Sequence, residues 1–297
     1  MQAPLAELHL HLEGAIEPAT LAEIDPALTP EMVEQQYRFT SFSGFLAAYK
    51  WTVERLQHPD HYRLVARRLR ERLAREGITH AEVNVSVGIM HWRKQNAAAM
   101  IQAIREELPK APLIFDAVRQ HGGAAAVAVA ELAAEFHAGF GIGGDEQSAP
   151  MSEFATAIRL AGGRFYPHAG ETSDAQNVWE ALAFAPRRIG HGIRAADDPA
   201  LCWELRKRDI PLEVCLSSNV ATGAVASLAA HPLRRLFDAG VPIVLATDDP
   251  AIFRTSLHRE FELARHLGFS DRELEILRQN AFQYSSDRWS RRTSSAE

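Results

Sequence analysis

Histidines close several β-like runs of this chain. His9 and His11 flank Leu10, and alternate residues of a strand face one way, so both imidazoles would point together. The pair alone means little: with 13 histidines in 297 residues, roughly half of one His-x-His is expected by chance. His168 ends another run, with Glu171 three residues on, and His191 stands between Gly190 and Gly192. A fourth run, Ile243 to Ala246, leads into Thr247, Asp248 and Asp249. Histidines and an aspartate gathered at one rim would offer the nitrogen and oxygen ligands that zinc takes. Zinc brings the pKa of water toward neutrality. His191 could hold or accept that water's proton, serve as a further ligand, or be a plain rim histidine. Glu171 is the candidate proton donor if burial raises its pKa; otherwise it reads as a carboxylate at a helix N-terminus. Asp248 alone would read as a turn or cap residue. Two adjacent aspartates on a strand would face opposite sides, which one cap does not explain.

Such groups need a frame that brings distant strand ends together. Eight apolar runs occur in order: Ala6–Leu12, His80–Val87, Leu113–Gln120, Gly139–Gly144, Arg164–Glu171, Arg188–Gly192, Pro211–Asn219 and Val241–Asp249. Helical patterns separate them, most clearly at His61–Glu76, where Leu64, Val65, Leu69 and Leu73 recur at helical spacing before Gly77. Further helices are predicted at Asn96–Glu107, Ala124–Phe136, Ser152–Ala161, Ala175–Phe184, Pro199–Arg208, Pro232–Ala239 and Asp271–Ser285. Eight strand–helix repeats predict an α/β fold, a (β/α)8 TIM barrel, whose active-site groups sit at the C-terminal strand ends. An open doubly wound sheet is the competitor, and no Gly-rich fingerprint follows the first strand to support it. Residues 14–60 break the alternation and predict a short helical lid inserted after strand 1. Its stripe Phe42, Phe45, Leu46 and Tyr49 is core packing or a pocket wall.

The rest of the chain narrows the field. One domain over 1–285 fits the length, and the Ser- and Arg-rich tail 286–297 is expected to be disordered. A net charge of −6 gives no basic face for nucleic acid and no hint of a membrane surface. Cys202 and Cys215 form neither a disulfide framework nor a CxxC site. With no leader pattern at the N-terminus, a reduced cytoplasmic location is expected. Nothing sets an oligomeric state.

The motifs together resemble the adenosine deaminase family of the amidohydrolase superfamily. The matching strings are Glu7-Leu-His-Leu-His-Leu-Glu-Gly14, Gly144-Asp-Glu146, His168-Ala-Gly-Glu-Thr172, Arg188-Ile-Gly-His-Gly192, Ser217-Ser-Asn219 and Thr247-Asp-Asp-Pro250, in the family's order. The resemblance implies that one zinc per chain is bound by His9, His11, His168 and Asp248. It implies that Glu171 protonates ring nitrogen N1 and that His191 orients or deprotonates the attacking water. Asp249 would meet N7, the backbone N–H of Gly144 would meet N3, and Phe42, Phe45, Leu46 and Tyr49 would gate the site. The implied reaction is hydrolytic deamination of a small-molecule 6-aminopurine nucleoside such as adenosine. Glu13 stands where adenosine-specific members often carry Asp against the sugar 5′-hydroxyl, and is more like the adenine-specific branch. Asn84, Val87, Gly141 and Leu216 replace the usual Arg, Pro, Asp and Pro. The short lid and altered strand 2 would suit a substrate bulkier at its 5′ end, such as aminodeoxyfutalosine, the intermediate of an alternative menaquinone route.

Three other readings compete. Binuclear amidohydrolases bridge two metals with a residue ending strand 4, where this chain has Gly143-Gly144-Asp145. Deaminases of bases in nucleic acids need a Pro-Cys-x-x-Cys string, which is absent. A non-catalytic nucleoside-binding barrel would not need the full set of catalytic groups.

Overall fold

A computed structural model describes residues 3–286; from 287 on, the expected disordered tail lies outside them. Eight parallel strands follow in chain order: β1 (Leu5–His11), β2 (Ile78–Val85), β3 (Leu113–Val118), β4 (Gly139–Gly143), β5 (Phe165–Ala169), β6 (Ile189–His191), β7 (Leu212–Val214) and β8 (Ile243–Leu245). Each strand pairs with the next, and β8 meets β1 through one bridge, Leu10 to Asp248. At that bridge His11 N–H donates to Asp248 O at 2.8 Å, and Asp248 N–H donates to His9 O at 2.9 Å. Helices alternate with the strands, so the architecture is the (β/α)8 barrel.

Period-two alternation explains β1. Ala6 and Leu8 join a cluster with Val244, Ala281 and Tyr284 on the outside of the barrel. Glu7, His9 and His11 take the opposite face, and all three are buried.

The excursion after β1 holds three helices, α1 (Pro18–Ile24), α2 (Pro30–Gln36) and α3 (Phe42–Val53). Ser41 caps α3 by accepting from Gly44 N–H at 3.2 Å. The helix α4 (Pro59–Arg75) starts on a proline, as helices favour, and ends ahead of Gly77. It buries Tyr62, Val65, Ala66, Leu69 and Leu73 and exposes Arg67, Arg68, Arg70 and Arg75. Each large apolar side chain so buried contributes roughly 1.5–3 kcal/mol.

Several predicted boundaries differ from the structure. The strand expected over Pro211–Asn219 lasts only from Leu212 to Val214, and a helix, Leu216–Ala221, takes its second half. The strand expected to reach Asp249 stops at Leu245. Asp248 is left-handed (φ 63°), so a turn, and not strand alternation, separates the two aspartates. Val87 opens a short helix, α5 (Val87–Trp92), in place of ending β2, and the helix Leu257–His266 was not anticipated. Cys202 and Cys215 are free and buried. No helix among the described residues is long and apolar enough to cross a membrane.

Candidate metal centre and active site

The strand ends converge as the barrel requires. His9 and His11 close β1, His168 lies on β5, His191 is the last residue of β6, and Asp248 follows β8 by three residues. All are buried. Ligand-capable atoms of His9, His168, His191 and Asp248 lie within 4.8 Å of one another, as do those of His11, Asp248 and Asp249.

Hydrogen bonds at the far side of each ring decide which nitrogen is free. Nδ1 of His9 donates to Glu213 Oε2 at 2.7 Å, and Nδ1 of His168 donates to Ile142 O at 3.2 Å. Nδ1 of His11 lies 3.4 Å from Asp116 Oδ2. An acceptor at Nδ1 keeps the proton there and turns the Nε2 lone pair inward, the usual arrangement behind a metal-binding histidine. His11 and His168 bring those Nε2 atoms to 3.2 Å. Buried Nε2 of His9 has no hydrogen-bond partner, standing 3.5 Å from Asp248 Oδ1. Lone pairs converging beside a carboxylate fit a bound divalent cation. His191 differs, because its Nδ1 faces the Asn219 amide nitrogen at 3.1 Å.

The electrostatics separate the acids. Burial would raise the Asp248 pKa, yet the imidazoles of His11 and His9 beside it hold it well below the usual carboxylate range. Ser218 Oγ also donates to it at 2.6 Å. Burial, then the Asp248 charge, push Asp249 and Glu171 well above that range, which favours the protonated form of both. Burial also pushes His168 well below its ordinary value, with the neighbouring histidines adding to it, and leaves the ring neutral. For His9, burial lowers the pKa but Asp248 and Glu213 outweigh it, to about 10; the two carboxylates favour a positive charge at this spot, which a metal ion on Nε2 would supply in place of a proton.

One cavity gathers most of the residues singled out in the sequence. Its wall includes His11, His168, Glu171, His191, Asp248 and Asp249, with Gly144 on one side. Phe42, Phe45, Leu46 and Tyr49 of α3 also line it, so the apolar stripe is a pocket wall. Glu13 does not line it. Its carboxylate accepts from Ser86 N–H at 3.1 Å and from the Tyr49 hydroxyl at 3.2 Å, and burial pushes its pKa to about 7.

Sequence reasoning missed the supports. Glu146 accepts from Gly170 N–H at 2.9 Å and Glu171 N–H at 2.8 Å, and Ser173 bonds it too, so it sets the turn that carries Glu171. Buried Arg119 donates to His168 O at 3.0 Å and Ala149 O at 2.9 Å. Arg188 bridges Glu213 and Glu82, and Glu213 in turn holds His9. Asp116 was also unassigned; Asn84 donates to both its oxygens, at 3.2 and 3.1 Å. A Cβ on Gly141 would come within 1.9 Å of Asp116 Oδ1, so that glycine makes room for the carboxylate. Glu146 and Arg188 lay inside the recognised strings, but nothing in a string states which group a side chain supports.

The profile of the adenosine deaminase family matches residues 4–293. The chain belongs to the adenosine deaminase family. An aminodeoxyfutalosine deaminase from Acidothermus cellulolyticus is 37% identical over 91% of this chain and 85% of its own length. The crystal structure of an adenine deaminase from Arthrobacter aurescens superimposes with a TM-score of 0.90 at 29% identity, covering 96% of this chain and 94% of that one. An amidohydrolase from Burkhoderia ambifaria, solved with bound zinc, superimposes at 0.85 and 25% identity, covering 95% and 85%. As a member of the adenosine deaminase family the protein is a hydrolase of a C–N bond in an aminopurine-like substrate.

Proposed function

We propose that the chain removes the 6-amino group of a purine nucleoside by hydrolysis, with one zinc held by His9, His11, His168 and Asp248. The observation that carries this is one cavity in which the buried carboxyls of Glu171 and Asp249 stand beside the histidine cluster, with burial favouring the protonated form of each. Two proton donors complement a ring with two basic nitrogens, N1 and N7. Zinc in this donor set supplies a Lewis acid and brings the pKa of water toward neutrality. Glu171 donates to N1 and makes C6 electrophilic, and Asp249, whose Oδ1 lacks a partner, donates to N7. The backbone N–H of Gly144, a residue of the cavity wall, would meet N3. The aromatic face of α3 keeps bulk water out.

No lysine or arginine among the described residues lines the cavity, so a phosphorylated purine would find no counter-charge there. One observation favours a longer nucleoside than adenosine. Gln120 stands both in the cavity wall and in a surface cleft with His91, Trp92, Lys94 and His121. Trp92 is 59% exposed and stacks on His121. A substrate extended at its 5′ end could follow that path, which supports aminodeoxyfutalosine as the second reading. Ammonia release from adenine, adenosine, deoxyadenosine and aminodeoxyfutalosine by the zinc-loaded protein tests both. Fastest release from adenine would remove the sugar-side reading. No release from any, with one zinc bound, would favour the non-catalytic nucleoside-binding barrel.

A further inference from the structure

A chain of hydrogen bonds runs from the backbone outside the site to His191, and its direction is set at the far end. Leu233 N–H donates to Nδ1 of His231 at 3.1 Å. A backbone N–H can only donate, so that Nδ1 presents a lone pair and the neutral ring carries its proton on Nε2. Nε2–H of His231 meets Asn219 Oδ1 at 3.2 Å. With its oxygen turned to His231, the Asn219 amide turns its NH2 toward Nδ1 of His191, 3.1 Å away. An amide NH2 donates, so Nδ1 of His191 accepts and its proton sits on Nε2. His231, Asn219 and His191 are all buried, so water does not interrupt the sequence. The Nε2 of His191 lies 3.6 Å from Glu171 Oε2 and 4.0 Å from Asp248 Oδ2.

We propose that His231 and Asn219 are positioning residues that hold His191 as its Nε2–H tautomer, so that His191 acts as a hydrogen-bond donor at the reaction centre and not as a base. The tautomer follows from the chain alone; its kinetic consequence rests on the deaminase reading. Protons balance without a base at His191. Glu171 gives its proton to the ring nitrogen and, now a carboxylate, takes one proton from the attacking water. The second water proton passes from the new C6 hydroxyl to the amino group as the C–N bond breaks. Ammonia leaves, the ring keeps C6=O and N1–H, and Glu171 is protonated again.

Imidazole 15N shifts, read by two-bond proton–nitrogen correlation in the zinc-loaded protein, test the tautomer directly, with the His191 signals assigned by their loss in His191→Asn. The expected wild-type pattern is a protonated Nε2 and a bare Nδ1. Asn219→Asp places an acceptor at both ends and should turn His191 over to Nδ1–H. With that donor lost, kcat should fall about 100- to 1000-fold with KM little changed. His231→Gln keeps an acceptor for Leu233 N–H and a donor for Asn219, and should retain both the pattern and the turnover. If Asn219→Asp does not fold, the wild-type pattern and His231→Gln still decide. A wild-type His191 protonated on Nδ1 overturns the proposal, as does a turned-over Asn219→Asp protein with wild-type kcat. If no purine is deaminated at all, the deaminase reading fails while the shifts still report the tautomer.

Discussion

His11 and His168 face each other through their Nε2 atoms at 3.2 Å, and both rings have an acceptor at the opposite nitrogen. Two lone pairs at that distance repel unless a cation lies between them. Removing His11, as His11→Ala, should therefore lower the zinc content of the purified protein well below one per chain. Elemental analysis checks this, and unchanged stoichiometry would contradict its place as a ligand. For the intact protein, excess zinc should raise the melting temperature and a chelator should lower it, since only the folded state assembles the four groups.

Glu171→Gln keeps the shape of the side chain and removes the transferable proton. We expect zinc content unchanged and kcat lower by about 100- to 10,000-fold, the usual span for a general acid. Steady-state rates together with metal analysis measure it. Substantial residual turnover would mean that another group protonates the ring.

The pH profile has a definite sign. Glu171 is raised well above the carboxylate range by burial, then by the Asp248 charge, and the reaction needs its protonated form. Activity should thus persist at neutral pH, where an ordinary carboxyl is already ionised, and fall as pH rises through the raised pKa. A kcat profile whose acid form is lost near pH 4–5, the ordinary glutamate range, would show that Glu171 is not the donor.

Gly141→Ala pushes a methyl group toward Asp116. Displacing that carboxylate disturbs both its bonds from Asn84 and its approach to His11. Overpacking of this kind costs about 1–3 kcal/mol. Loss of a group behind a ligand typically weakens metal binding by roughly 10–100-fold. Denaturant unfolding and zinc titration read the two effects separately.

Glu146→Ala leaves the buried N–H groups of Gly170 and Glu171 without their acceptor, at about 1–3 kcal/mol of stability for each unsatisfied group. Because the same turn carries Glu171, kcat should fall while zinc content stays at one. An unaltered kcat in a folded variant would sever Glu146 from the positioning of Glu171.

Much of this architecture was legible because its signals are local. The His-x-His of β1 could be read by alternation, and α4 by its leucine spacing. What escaped reading depends on contacts far apart in the chain: Glu213 holds His9 across 204 positions, and Glu146 reaches Glu171 from the next strand along. The late strands misled for a different reason. β6, β7 and β8 are three residues each, so the apolar run Pro211–Asn219 was longer than the strand it contained, and Leu216 already belongs to a helix. Asp248 and His191 both adopt positive φ, a conformation that no residue pattern announces for an aspartate or a histidine. Each was identified by type and neighbourhood, while its direction came from a turn.

The single bridge between Leu10 and Asp248 joins the first strand to the last, and the amides on either side of it belong to residues 11 and 248. The barrel's final seam and its candidate ion cage are thus built from the same residues. A cation seated there ties the beginning of the fold to its end, and its loss would unbutton the cylinder at the place where chemistry happens. Protection of the His11 and Asp248 amides against hydrogen exchange would then serve as a gauge of occupancy, read without any substrate.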